Sequence, residues 1–248
     1  MEPAEALDAP VTSPAPVLVR HLAIIMDGNH RWAKARHLPG AAGHRAGAKN
    51  VRAIAEACAD AGVQCLTLFA FSTENWRRPR REVRLLMDLM RSVLENDIEE
   101  LNRREVRLRV IGERSRFDAE LQQRMAAAEA LTGSNDKMQL NIAANFGGRW
   151  DITEAARALA QDVSAGVVDP AAIDESVFKS YLSLGDVPQP DLCVRTGGDH
   201  RISNFLLWDF AYTELYFTDA YWPEFDQAHL HAALAWFEER QRRFGRRA

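Results

Sequence analysis

The sequence lacks the features of secreted, membrane-spanning and nucleic-acid-binding proteins. Its three cysteines, Cys58, Cys65 and Cys193, are odd in number and have no metal-ligand spacing, so we expect buried, reduced thiols. No run of 18 apolar residues occurs, and the start has no signal-peptide pattern. The net charge of −4 supplies no basic field for nucleic acid. We therefore expect a cytoplasmic protein with no nucleic-acid partner.

Several fingerprints of nucleotide-binding and ester-cleaving enzymes are also missing. The chain has no Gly-x-Gly-x-x-Gly for dinucleotides, no Gly-x-x-x-x-Gly-Lys-Ser/Thr phosphate loop and no Gly-x-Ser-x-Gly elbow. It contains no Asp-Asp pair, so the Asp-rich motif of trans-prenyltransferases is absent as well. Any phosphate site must therefore be built from other residues.

What the sequence does contain is an alternation of strand-like and helix-like segments. Residues 1–19 are rich in Pro, Ala and acidic residues and predict a mobile tail, which leaves one domain over residues 20–248. Apolar, β-prone runs predict strands at 21–26, 64–71, 106–112, 138–144, 191–195 and 213–217. Helical periodicity predicts helices at 45–61, 82–101, 117–131, 150–163 and 227–243. This alternation indicates an α/β fold with a mostly parallel central sheet flanked by helices.

The predicted helix at residues 82–101 carries a continuous apolar stripe. Its members recur at i, i+3, i+4 and i+7 spacing: Val83, Leu86, Met87, Met90, Leu94, Ile98 and Leu101. Periodicity alone leaves two interpretations open. The stripe either packs as ordinary core or forms the wall of a channel for a lipid chain.

Polar segments follow four of the predicted strands. They begin at Asp27, Ser72, Asn145 and Arg195. In open parallel sheets, ligands bind at the carboxyl ends of the strands. We therefore expect the four segments to share one rim and one ligand site.

Two of these segments carry the clearest chemistry. Asp27 is placed to hold Mg²⁺ beside substrate phosphates, although an Asp here could instead cap a following helix. The glycine-containing segment 195–203 includes Arg195 and Arg201, and arginines pair bidentately with phosphate oxygens. A solvated surface turn is the alternative for that segment. A magnesium-type carboxylate and several arginines on one rim suggest a diphosphate ligand.

Taken together, the motifs resemble the bacterial cis-prenyltransferases, the family of undecaprenyl diphosphate synthases. The matching stretches occur in order at residues 21–34, 43–47, 67–76, 141–151, 195–208 and 214–218. The resemblance implies an enzyme that condenses isopentenyl diphosphate in cis with an allylic diphosphate, here expected to be farnesyl diphosphate. Its expected product is a long polyprenyl diphosphate such as undecaprenyl diphosphate, the precursor of the lipid carrier for cell-wall polysaccharide.

The resemblance also assigns roles to individual residues. Asp27 is the implied catalytic residue and, with Glu214, a ligand of the Mg²⁺ cofactor, Glu214 acting at a site shared across a homodimer. Asn75 is implied near the proton that leaves. The implied substrate-binding residues are Gly28, Asn29, His30, Arg31, Trp32, His44, Ser72, Thr73, Glu74, Trp76, Arg78, Arg195, Arg201 and Ser203.

Two positions depart from the family pattern. His30 stands where some members have glycine, and Gly40 stands where some have an arginine near the allylic diphosphate. A backbone contact survives the first change, whereas the second removes one phosphate contact. Lys34 and Arg36 are candidates to reach the same region.

The family also implies a hydrophobic tunnel between the sheet and its helices. A small residue at Ala70 goes with longer products in the family, which opposes a short-chain synthase. A non-catalytic subunit of a heteromer is a second rival, opposed by the presence of Asp27 and Asn75. A phosphate-binding interaction module is a third, with no positive feature in the sequence.

Product release from such a tunnel implies transient contact with a membrane, at its inner face for a cytoplasmic enzyme. The basic C-terminal residues 242–247 could touch anionic lipid. A solvated helix end is the alternative for those residues.

Overall fold

Six strands form one parallel sheet in the computed structural model, which describes residues 19–240. The strands are β1 His21–Ile25, β2 Cys65–Ser72, β3 Val106–Ile111, β4 Met138–Phe146, β5 Leu192–Arg195 and β6 Glu214–Phe217. They lie in the order β3-β4-β2-β1-β5-β6, and every neighbouring pair is parallel. The predicted α/β class is confirmed.

Within residues 19–240, eight α-helices flank or connect the strands. They are α1 Asn29–Ala35, α2 Gly40–Asp60, α3 Arg80–Asn96, α4 Ile98–Arg103, α5 Ala119–Thr132, α6 Gly148–Ser164, α7 Glu175–Ser180 and α8 Gln227–Glu238. The sequence did not predict α1 and α7, because each spans two turns or fewer and shows too little periodicity. The last predicted helix, 227–243, ends at Glu238.

The single helix predicted at residues 82–101 is wrong, since the structure divides it into α3 and α4. The division falls at Asp97, whose φ of −107° departs from the helical value near −63°. The apolar stripe nevertheless continues across the break, because Ile98 and Leu101 of α4 are buried.

Apolar side chains cover both faces of the sheet. All five residues of β1 are buried, as expected for a parallel strand enclosed by helices. Leu22 and Ile24 pack with residues of α2, α4 and α8, whereas Ala23 and Ile25 pack in a separate cluster on the opposite face. Val19, which the sequence analysis placed in the tail, is 3% exposed and belongs to the first cluster.

The three cysteines are free and buried, as predicted. Burial raises the pKa of Cys65 to about 12 and also raises those of Cys58 and Cys193. These thiols are therefore protonated at neutral pH and take no part in the chemistry below.

Two predicted segments lie outside the described residues, namely the tail over residues 1–18 and the basic stretch 242–247. In the described range, 19–240, we find no helix long and apolar enough to cross a lipid bilayer.

Candidate active site

The segments that follow β1 and β5 meet at the carboxyl edge of the sheet. Ile25 and Arg195 are register partners on these adjacent strands, so Asp27 lies close to the end of β5. Thr196 joins the two segments, because its Oγ1 donates to the carbonyl oxygen of Asp27 at 2.7 Å. Parallel pairing thus brings together residues that are about 170 positions apart in the sequence.

Asp27 is held between two arginines. Its Oδ2 accepts from Arg195 Nη2 at 2.7 Å, its Oδ1 lies 3.0 Å from Arg31 Nη2, and the Gly28 amide donates to Oδ1 at 2.6 Å. Burial by itself disfavours the charged carboxylate, but the bonds from Arg195, Arg31 and Gly28 outweigh it and lower the pKa of Asp27. Asp27 is therefore ionised at neutral pH.

A second carboxylate, Asp199, completes this charged cluster and was not singled out from the sequence. Its Oδ2 lies 3.1 Å from Arg31 Nη2 and 3.5 Å from Arg195 Nη2, and its Oδ1 accepts from Arg201 at 3.0 Å. The available signal was its position between Arg195 and Arg201 in a segment already predicted to bind an anion.

Close backbone approach at this rim depends on Gly197. Its φ of +89° lies in the left-handed region, which glycine adopts without strain. A Cβ at this position would lie 2.9 Å from Arg31 Nη2 and 3.1 Å from the Gly28 nitrogen. The two loops could not approach as closely with a larger residue at position 197.

The segment after β2 forms a 3-10 turn, Thr73–Arg77, that faces the same edge. Asn75 stabilises the turn, because its Oδ1 accepts from the Ser72 amide at 3.1 Å. Trp76 Nε1 donates to Asn145 Oδ1 at 2.7 Å, which ties the turn to the end of β4.

The first residues of α2 and α3 complete the rim. Glu82 accepts from Arg78 Nη1 at 2.9 Å and has its Oε1 3.3 Å from His44 Nε2. The latter contact lacks hydrogen-bond geometry, so His44 Nε2 has no bonded partner among the described residues. Burial lowers the pKa of His44 despite the attraction of Glu82.

Unpaired buried polar atoms concentrate at predicted site residues. Among the side chains of residues 19–240, five such atoms lack a hydrogen-bond partner, and four are Asn29 Oδ1, Trp32 Nε1, His44 Nε2 and Arg195 Nε. Buried polar atoms in proteins are nearly always bonded. The concentration of exceptions at this edge indicates a ligand site rather than a purely structural cluster.

A cavity of about 560 Å³ includes this charged rim and extends between the sheet and the helices, where its lining becomes largely apolar. Leu86, Met90 and Leu94 of α3 line it, while Met87 is the buried residue of that helix. The stripe on α3 therefore faces a cavity as well as the core, which bears on the two interpretations left open by the sequence. Other apolar residues that line the cavity include Ile98, Leu101, Phe69, Ala70, Phe71, Val110, Leu140 and Ile142.

Most of the predicted site residues line this cavity. They are Asp27, Gly28, Asn29, His30, Arg31, His44, Ser72, Asn75, Arg78, Arg195, Arg201 and Ser203. Glu74 lines an adjoining surface recess with Asn204, whose Nδ2 donates to Glu74 Oε1 at 2.9 Å. Trp32, Thr73 and Trp76 are not part of either lining.

Glu214 lies at the amino ends of the strands, opposite the carboxyl edge that carries Asp27. It pairs with Leu192 at the start of β5, whereas Arg195 pairs with Phe217. The level of Glu214 is three residues from the level of Arg195 along the strands, which at about 3.3 Å per residue is roughly 10 Å. Within one chain, Glu214 therefore does not join Asp27.

The oxygen ligands at the rim fit a Mg²⁺ ion that is shared with a substrate. Mg²⁺ commonly binds one or two carboxylates together with phosphate oxygens and water. Asp27 and Asp199 supply two carboxylates that converge on Arg31. No group of three or more His, Cys, Asp or Glu side chains with metal-binding geometry occurs in residues 19–240.

Comparison with known proteins identifies the family. The sequence model of the undecaprenyl diphosphate synthases, within the prenyltransferases, matches residues 25–245. The chain belongs to this family. The resemblance found in the sequence motifs is confirmed, and the chain is a prenyltransferase.

Similar proteins of this family occur in bacteria. The farnesyl-diphosphate-specific ditrans,polycis-undecaprenyl-diphosphate synthase of Pseudomonas putida is 56% identical over 92% of this chain and 90% of its own length. The enzyme of the same name from Vibrio cholerae is 52% identical over 92% of both chains.

A solved structure shares the fold of this prenyltransferase. Lavandulyl diphosphate synthase from Lavandula x intermedia, in complex with dimethylallyl diphosphate, superposes with a TM-score of 0.90. It is 38% identical in sequence, and the match covers 92% of this chain and 98% of the plant chain.

Proposed function

We propose that the chain is a Mg²⁺-dependent enzyme that extends farnesyl diphosphate with isopentenyl diphosphate in cis to a long product of the undecaprenyl type. The observation that carries this proposal is the continuity between a charged rim and an apolar cavity. Asp27, Arg31 and Arg195 suit diphosphate groups and a metal ion, and the apolar walls suit a hydrocarbon chain.

In the proposed reaction, the bond between C1 of the allylic substrate and its diphosphate breaks while the isopentenyl double bond attacks C1. A proton then leaves C2 of the isopentenyl unit, which restores neutrality in the new chain. Mg²⁺, when bound, supplies electrostatic stabilisation of the diphosphate oxygens. Arg31 and Arg195 donate hydrogen bonds to the negative charge that develops on the leaving group.

Asn75 is proposed to orient the reacting atoms rather than to accept the proton. Its side-chain amide is neutral and does not ordinarily hold an additional proton. Its Oδ1 is already bonded to the Ser72 amide, so Nδ2 is the part of the amide proposed to donate to a phosphate oxygen. The departing diphosphate is the proposed proton acceptor.

Apolar burial explains how a growing chain would stay bound between condensations. Each added unit has five carbons, and burial contributes about 0.8 kcal/mol per carbon, or roughly 4 kcal/mol per unit. The free energy gained from each further unit falls once the chain covers the apolar walls completely. Product release is then slow, and we propose that contact with a membrane assists it.

We further propose that two chains form a homodimer in which Glu214 acts at the partner's metal site. The support is that Glu214 lies at the amino ends of the strands, away from Asp27 of its own chain. It also lies on β6, the outermost strand of the sheet. Leu215 and Tyr212 near that edge are 37% and 70% exposed, which provides apolar surface for a second chain. Cytoplasmic localisation and the domain limits 20–248 remain part of the proposal.

A product assay tests the proposed function directly. Purified protein is incubated with farnesyl diphosphate, labelled isopentenyl diphosphate, Mg²⁺ and detergent, and the dephosphorylated products are separated by chromatography. We expect long cis-polyprenols that disappear when EDTA removes the metal. We also expect Asp27→Asn to reduce turnover about 100-fold or more, since it removes charge at a preorganised site.

Asp88→Asn serves as the matched control, because Asp88 is an exposed carboxylate on α3. Wild-type turnover is expected for this control. No incorporation by the wild-type chain, together with retained diphosphate binding, would instead support a binding subunit of a heteromer.

A further inference from the structure

Asn204 connects three of the polar segments at the carboxyl edge of the sheet. It directly follows Ser203 of the segment after β5, and its carbonyl oxygen accepts from the Gly148 amide at 2.7 Å. Its Oδ1 accepts from the Arg149 amide at 3.0 Å, and its Nδ2 donates to Glu74 Oε1 at 2.9 Å. A backbone N–H only donates and a carboxylate only accepts, so these two partners fix the orientation of the side-chain amide. The segments that follow β2, β4 and β5 therefore meet at one residue.

Asn204 also supplies the cap at the start of α6. The residue before that helix is Gly147, which has no side chain to bond the first amides. A Cβ at Gly147 would lie 2.7 Å from Asn204 Nδ2 and 2.9 Å from Thr73 Oγ1. The glycine thus leaves room for both side chains, and Asn204 is anchored to the first turn of a 17-residue helix.

The backbone at Asn204 and at Ser203 is left-handed. Their φ angles are +59° and +48°, and asparagine is among the residues that adopt this region most readily. The turn leaves Ser203 exposed at the rim and takes Phe205 into the core. Ser203 Oγ accepts from Arg195 Nη1 at 2.7 Å. The anchored position of Asn204 therefore determines where Ser203 meets Arg195.

A continuous series of contacts passes through Asn204 from one part of the rim to the other. On one side, Ser203 is bonded to Arg195, which pairs with Asp27. On the other side, Glu74 belongs to the turn Thr73–Arg77, which carries Asn75. Asn204 thus links the group that holds the charged rim to the turn proposed to orient the reacting atoms.

We propose that Asn204 is a positioning residue that aligns the two substrates by holding the turn Thr73–Arg77 against the segment 195–203. This inference rests on the proposed function. Each side keeps its own internal bonds without Asn204, because Asn75 still bonds the Ser72 amide and Arg195 still bonds Ser203. Loss of the link therefore leaves the binding of each substrate nearly unchanged. The condensation becomes slower, since a small displacement of reacting groups has a large effect on rate.

Exchange of the donor and the acceptor gives the sharpest test. Asn204→Asp keeps an oxygen for the Arg149 amide and tolerates the left-handed backbone, but it places a second carboxylate against Glu74. We expect its single-turnover rate with farnesyl and isopentenyl diphosphates to fall about tenfold or more. Addition of Glu74→Gln restores a donor–acceptor pair in the reverse direction and restores the net charge. We expect the double variant to recover to within about threefold of Glu74→Gln alone.

Asn204→Gly separates the alignment of substrates from their binding. Glycine adopts the left-handed backbone without strain and adds no charge, but it removes both side-chain bonds. We expect the dissociation constant for isopentenyl diphosphate, measured by calorimetry without an allylic substrate, to change by less than about threefold. The single-turnover rate is expected to fall about tenfold or more. Equal losses of affinity and rate would overturn the proposal. This variant also serves if Asn204→Asp does not fold.

Asn135→Asp is the matched control. Asn135 Nδ2 donates to Asn102 Oδ1 and to the Val106 carbonyl oxygen, each at 3.0 Å, and Asn135 does not line the cavity. The variant therefore loses amide bonds of a similar kind at a distance from the rim. We expect a wild-type single-turnover rate from this control even if its melting temperature is lower.

Hydrogen exchange tests the same link without turnover. In Asn204→Asp we expect faster exchange at the amides of Thr73–Arg77, but not at the start of α6, where the Arg149 amide keeps its acceptor. Unchanged exchange in the turn, or a double variant no faster than Asn204→Asp, would overturn the proposal. Absence of product from the wild-type chain would instead overturn the proposed function, so the two failures are distinguishable.

Discussion

Asn75 combines a structural bond with a proposed role in the reaction. Its Oδ1 holds the Ser72 amide, so an aspartate at this position keeps the same acceptor. The amide Nδ2, in contrast, is lost in that variant. Asn75→Asp therefore separates the two contributions of one side chain.

We expect Asn75→Asp to fold normally and to reduce kcat about 10- to 100-fold. Hydrogen bonds to charged groups contribute about 1.5–3 kcal/mol, and this variant also places a negative charge near the diphosphates. Single-turnover rates with both diphosphate substrates provide the measurement, and a thermal melt provides the folding control. Near-normal turnover would show that the amide donor is not needed.

At the residue scale, the sequence identified the rim but not the bonds within it. Asp27 and Arg195 could be predicted to share an edge, because both follow strands of a parallel sheet. Arg195 contacts both Asp27 and Asp199, and these contacts depend on the register between β1 and β5. Register between strands far apart in sequence follows from the packed sheet, not from local pattern.

At the scale of secondary-structure elements, β2 brings Ala70 into the cavity wall. The pairing of β2 with β4 shifts register between Phe69 and Phe71, so Ala70 lies at an irregularity in the strand. Such bulges redirect side chains locally. Ala70 is half-buried and lines the cavity near its charged end.

We expect Ala70→Leu to shorten the product by one or more five-carbon units. The larger side chain would occupy cavity volume that the chain otherwise fills. Chromatography of dephosphorylated products measures the length distribution. Ala156→Leu on the exposed surface of α6 is the size-matched control. A distribution identical to wild type for Ala70→Leu would contradict the assignment of this wall.

The strands could be predicted from their apolar runs, but the break between α3 and α4 could not, because the helical apolar pattern continues across it. All six predicted strands reappear within about two residues of their expected ends, because buried parallel strands are almost continuously apolar. The α3–α4 boundary could not be found this way. Asp97 falls between stripe positions, so the period continues through the break.

At the scale of the whole molecule, two buried carboxylates oppose folding at neutral pH. Burial, followed by repulsion from Asp151, raises the pKa of Asp209 to about 6. Asp151 is itself bonded to Ser183, whose Oγ lies 2.6 Å from Asp151 Oδ1. Since the pKa of Asp209 is higher in the folded chain than in the unfolded one, the unfolded chain loses its proton first as pH rises. Stability therefore falls between about pH 4 and pH 6.

We expect Asp209→Asn to stabilise the protein above pH 6 by up to roughly 3 kcal/mol, from a shift of about two pKa units. The advantage should decrease as pH falls from 6 toward 4 and disappear below that range, where the wild-type carboxyl is protonated in both states. Denaturant unfolding at several pH values measures this difference. Asp186→Asn, at a largely exposed carboxylate, is the control. A stability difference independent of pH would contradict the assignment.

The central position of β1 has a consequence for how the protein is made. β1 pairs with β2 on one side and with β5 on the other. The second pairing cannot form until β5 has been synthesised, and Arg195 of β5 lies 170 residues after its partner Ile25. At synthesis rates of about 5–20 residues per second, that interval lasts roughly 10–30 s. Throughout it, an apolar strand edge is open to wrong partners. Cover of this edge by the ribosome or a chaperone would therefore limit wrong pairing until β5 emerges.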